Sequence, residues 1–128
     1  MSRLTTDQAR ALAARVVALT QADSAEAIVV SAEDSLTRFA ENRIHQNVTE
    51  ADTRVSVRAV LGDRQGVAST NRVDEKSLAT CCATAVAAAS AAPPDPEFPG
   101  LPSPLPVQTP ARAAAAAAEF DPDRRAGV

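Results

Sequence analysis

The side chains with the most chemical reach in this sequence are a single histidine, His45, and two adjacent cysteines, Cys81 and Cys82. A hydrolytic metal site needs several His, Cys or carboxylate ligands converging around an open position, and one histidine cannot supply them. His45 lies in Arg43-Ile44-His45-Gln46-Asn47, on the polar side of an expected strand, and reads as an exposed or interface sheet residue rather than a ligand. Nucleophilic catalysis by Ser or Cys would need that same imidazole as base, and nothing in the spacing brings it to the cysteines. Neighbouring cysteines cannot build an ordinary disulfide framework and lack the separation of a zinc knuckle, so both read as small helix fillers.

The carboxylates Glu33, Asp34, Glu41, Glu50 and Asp52 fall mainly in expected turns and strand ends, with no spacing that recommends a paired acid/base site. Gly62-Asp63-Arg64-Gln65-Gly66 lacks both phosphate-loop patterns and opens a strand where such a loop would open a helix, which excludes nucleotide binding there. The Pro-x-x-Pro spacings after Pro93 could dock on a peptide-recognition partner, but a linker that wraps the domain and buries Phe98 and Leu101 is the simpler reading. No catalytic, cofactor-binding or metal residue is therefore assigned.

Composition narrows the classes further. The chain has 128 residues and a formal net charge of -3, enough for one domain. Of its 45% hydrophobic residues about half are alanine, and there is no Trp or Tyr, so the expected core is thin and aromatic platforms for single-stranded nucleic acid are missing. An acidic balance disfavours duplex binding, which depends on a basic surface that releases phosphate counterions. No run approaches the roughly 18 to 20 apolar residues that span a bilayer, and the first residues turn polar before a signal core could form. The expectation is a cytoplasmic protein that contacts neither nucleic acid nor membrane.

The elements that would position these residues can be read from periodicity. Thr5 and Gln8 make a capping box, after which Ala9, Leu12, Ala13, Val16 and Leu19 recur at helical spacing to about Thr20. Ile28, Val29 and Val30 favour a strand from Glu26 to Ala32, and a Glu33-Asp34 turn leads to a second stretch, Ser35 to Ala40. Glu41, Asn42 and Arg43 mark a reversal, followed by alternation from Ile44 to Glu50, which suits a strand with one apolar and one wet side. Ala51 and Asp52 lead into a further strand with Val55, Val57, Ala59 and Leu61 on one face and Arg54, Ser56 and Arg58 on the other. The Gly62 to Gly66 turn joins it to a last strand, Val67 to Thr70, and Asp74 caps a second helix from Glu75 to about Ala92. Eight prolines then fall between Pro93 and Pro110, Ala111 to Glu119 is a marginal alanine-rich helix, and Asp121-Pro122 starts another helix close to the last residue.

This pattern predicts an α+β domain: an antiparallel sheet of about five strands with two helices packed on one face, then a Pro-rich extended arm and an Ala-rich tail. The expected organisation is a domain over residues 1–92, an extended segment over 93–110 and a tail over 111–128 that begins a further domain. If Val55, Val57, Ala59 and Leu61 face the helices, then Arg54, Ser56 and Arg58, with His45, Asn47 and Thr49 on the neighbouring strand, form the opposite face. That polar, locally basic face is the candidate docking surface.

The ordered series Ser35-Leu36-Thr37-Arg38-Phe39-Ala40, Asn42 to Asn47, Val55-Ser56-Val57-Arg58, Gly62 to Asn71 and Pro93 to Pro102 resembles the N-terminal domain of the TldD/PmbA proteins, also described as modulators of DNA gyrase. The resemblance runs from the first helix through the proline segment. It implies a cytoplasmic, metal-dependent peptidase system, with zinc the expected divalent metal in the full-length family, that acts on peptides or unfolded segments and is assembled from two related subunits. The family's metal-binding HExxxH helix and its associated cysteine lie downstream of the matched region, so the resemblance assigns no metal residue here and His45 is not a zinc ligand. Some members lack the metal motif and serve as a non-catalytic partner. The expected role is therefore assembly or formation of a substrate chamber, with the chain alone inactive; the alternative is a free-standing, non-catalytic interaction module.

Overall fold

The computed structural model describes residues 2–108 and 119–126. Its elements are α1 (Thr6–Leu19), β1 (Ser24–Ala40), β2 (Arg43–Leu61), β3 (Arg64–Thr70), α2 (Glu75–Ala91) and a short α3 (Pro122–Ala126). The expected alanine-rich helix over Ala111 to Glu119 lies, but for Glu119, outside the described residues. Two compact units are present: Met1–Glu33 with Ala51–Pro102, and Asp34–Glu50 with Ser103–Val128.

The fold is α+β with an antiparallel sheet, but among the described residues the sheet has three strands in the order β1-β2-β3, where about five were expected. The expected breaks at Glu33-Asp34 and Ala51-Asp52 are absent: Asp is at home in turns, but both pairs lie within continuous strands, where pairing decides the backbone. Hydroxyl pairs mark that continuity: Ser31 Oγ lies 2.9 Å from Thr53 Oγ1 and Ser35 Oγ lies 3.0 Å from Thr49 Oγ1. The reversal expected at Glu41-Asn42-Arg43 is present, with Glu41 and Asn42 at left-handed φ angles of 52° and 58°, the geometry of a tight hairpin turn.

In the first unit, α1 begins as its sequence requires. The Gln8 amide N–H donates to Thr5 Oγ1 at 3.2 Å while Gln8 Oε1 accepts from the Thr5 amide at 2.9 Å. Such a reciprocal cap is worth about 1 kcal/mol. At α2, Asp74 Oδ1 accepts from the Ser77 amide at 3.0 Å and Oδ2 from the Ser77 hydroxyl at 2.8 Å. Hydrogen bonds to the ionised carboxylate, first from the Ser77 backbone and then from its side chain, hold the Asp74 carboxyl below its ordinary range.

The core lies between the helices and the inward face of β2. Thr53, Val55, Val57 and Ala59 alternate inward and are buried, meeting Val16 of α1 and Leu78, Cys82, Ala85 and Ala89 of α2. The cysteines are thus core fillers, with Cys82 Sγ donating weakly to the Val16 carbonyl at 3.6 Å. Buried polar atoms are paired: Thr20 Oγ1 donates to the Val16 carbonyl at 2.8 Å, and Thr53 meets Ser31, which also accepts from the Leu4 amide at 2.9 Å.

The turn between β2 and β3 is shorter than its composition suggests. Only Gly62 and Asp63 form it, Gly62 at φ 62°, and its amide donates to Asp23 Oδ2 at 2.8 Å. Gly66, expected in the turn, sits inside β3 directly beneath α2, against the Ala85 carbonyl and the Ala89 amide. Its missing side chain serves close packing, not a reversal.

In the second unit, the hairpin residues 34–50 are exposed apart from Thr37 at intermediate burial, so the wet-and-dry alternation expected from Ile44 to Glu50 has no buried side. Arg125 of α3 donates through Nε to Thr37 Oγ1 at 2.9 Å and through Nη2 to Asn47 Oδ1 at 3.2 Å. Asp121 caps α3, its Oδ1 accepting from the Arg124 amide at 2.8 Å.

Candidate functional site

The expected docking residues all come from β2, one continuous strand, and not from two neighbouring ones. Arg54, Ser56 and Arg58 belong to the first unit and His45, Asn47 and Thr49 to the second. The two triplets have opposite parity along the strand, and side chains alternate at period two, so the alternation does not gather them into one row.

In the first unit the odd-numbered residues of β2 fill the core, so Arg54, Ser56 and Arg58 point to the helix-free side. Arg58 organises that side. Its Nη2 donates to Glu26 Oε1 of β1 at 2.8 Å, and its Nη1 donates to Gln65 Oε1 of β3 at 3.3 Å. One guanidinium on the central strand thus joins all three strands. In the β2–β3 register Arg58 opposes Val67 and Ser56 opposes Ser69. A shallow concavity of about 300 Å³ opens here, lined by Glu26, Ile28, Ser56, Val57, Arg58 and Val67.

The face is less polar than its sequence triplet implies. Ile28 is 54% exposed, Val30 56% and Val67 63%. Glu26, Gln65, Ile28 and Val67 escape a reading confined to β2. Counting back from the Gly62-Asp63 turn would have found Val67 and Gln65, whereas Glu26 and Ile28 depend on how β1 pairs with β2. The chemistry available is recognition by a guanidinium, hydroxyls and β-branched side chains. Arg54 is exposed, and the Arg58–Glu26 pair is about one-third exposed on each side.

In the second unit His45, Asn47 and Thr49 are all exposed. Asn47 accepts from Thr37 Oγ1 at 3.1 Å as well as from Arg125, and Thr49 is paired with Ser35, which leaves His45 as the member of the triplet with neither kind of contact among the described residues. The cysteines lie in the core of the first unit, and this imidazole belongs to the second. Burial, and then the neighbouring Cys82, push the Cys81 thiol up, so it stays protonated and unreactive at neutral pH.

A family model described as PmbA/TldA metallopeptidase domain 1 matches residues 25–89, just over half of the chain. The chain belongs to this family. The matched stretch runs from the start of β1 to near the end of α2, the unbroken β-β-β-α portion of the fold, and agrees with the resemblance carried by its sequence motifs. Among solved structures, TldE from Thermococcus kodakarensis is similar, at 20% identity and a TM-score of 0.64 over 79% of this chain. That likeness speaks for the shared fold. The chain spans 23% of the length of TldE. No curated protein matches the chain.

The family's metallopeptidase description implies a metal centre. Among the described residues no three His, Cys, Asp or Glu side chains converge, and the donors available are a buried cysteine pair, an exposed histidine and dispersed surface carboxylates. Among the described residues this donor set does not fit a hydrolytic metal. Among the described residues no helix is long and apolar enough to cross a membrane.

Proposed function

We propose that this TldD/PmbA-family domain is a non-catalytic assembly or chamber-forming part of a metal-dependent peptidase that acts on peptides or unfolded segments. The observation that carries the reading is the outer face of the first unit's sheet, where Arg58, held by Glu26 and Gln65, lies among Ile28, Val30 and Val67. Exposed β-branched residues around a hydrogen-bonded guanidinium suit a protein contact, with Arg enriched at such surfaces. The family match supports the peptidase context, and the dispersed donor set supports a role other than cleavage. The partner is a related TldD/PmbA subunit or a neighbouring domain of the same system, and the metal, zinc by family resemblance, acts elsewhere in that system.

The test replaces Arg54 and Arg58 together by Glu in the intact protein. Charge reversal is expected to weaken subunit assembly and peptide cleavage while the folded sheet persists, as followed by circular dichroism. Unchanged assembly and cleavage would overturn the docking role. Incubating the 128-residue chain with zinc and an unfolded peptide is expected to leave the peptide intact; metal-dependent cleavage would overturn the non-catalytic assignment.

A further inference from the structure

We draw no further inference here: the strongest candidate, the groove of about 410 Å³ between β3 and α2 lined by Ser69, Thr70, Arg72, Lys76, Thr80 and Thr84, carries nothing, since Arg72 is already paired with Asp74 in the same groove and nothing in the structure shows what covers it.

Discussion

Gly66 of β3 lies against the backbone of α2, its Cα so near the Ala85 carbonyl that no side chain fits between them. Strand and helix meet there backbone to backbone, and the run of alanines from Ala85 to Ala89, broken only by Val86, is what lets α2 come so close. Replacing Gly66 by Ala must push the helix off the sheet, since the atoms it would meet belong to the main chain and cannot rotate away. The expected cost is about 3 kcal/mol or more, read as a fall in Tm of roughly 10 to 20 °C by thermal denaturation. A Gly66→Ala chain melting within a few degrees of wild type would contradict this packing.

The Asp74 cap makes stability depend on acid. Its carboxyl is held below the ordinary range by the Ser77 hydrogen bonds, so it binds its proton less readily folded than unfolded. That contribution is present above the unfolded value and is lost as pH falls through the depressed folded one. Urea denaturation from about pH 6 down to pH 3 should show the wild type losing stability that Asp74→Asn, already without the charge, does not lose over the same interval. Parallel curves for the two proteins would remove Asp74 from the account.

Cys81 works in the opposite direction. Burial raises its thiol, so the folded state holds the proton more tightly than the unfolded one. Stability from this group is complete below the ordinary thiol range and declines as pH rises above about 8.5. Cys81→Ala is expected to flatten that alkaline decline. At neutral pH, Cys81 and Cys82 should react with a thiol reagent only on unfolding, since they are 6% and 2% exposed. Rapid labelling of the native chain would contradict their place in the core.

Arg125 bridges α3 to the hairpin of the second unit through Thr37 and Asn47. Those contacts are partly exposed, so Arg125→Ala should cost the unit about 1 kcal/mol or less. The sensitive readout is local: α3 amides should exchange faster and the Asn47 side-chain amide resonances should move. Unchanged exchange in Pro122–Ala126 would show that the guanidinium does not hold the helix.

Local chemistry was legible wherever one stretch of chain decided the outcome. Thr5 with Gln8 marks the start of α1 and Asp74 that of α2, because a cap is decided by residues about three apart. The period-two alternation from Val55 to Ala59 marked the buried face of β2, and the ordered motifs from Ser35 to Pro102 carried the family. Other features needed partners distant in sequence. Glu33-Asp34 and Ala51-Asp52 look like turns in isolation, yet they remain strand because β1 and β2 pair through them. Gly66 looks like turn glycine until α2 is laid across it. Arg58 reads as one more basic residue on a wet face, and only the pairing of three strands sets it between Glu26 and Gln65. Caps and alternation are set by neighbours along the chain, so residue types determine them; edges, registers and close approaches are set by neighbours across it, and the folded backbone alone brings those together.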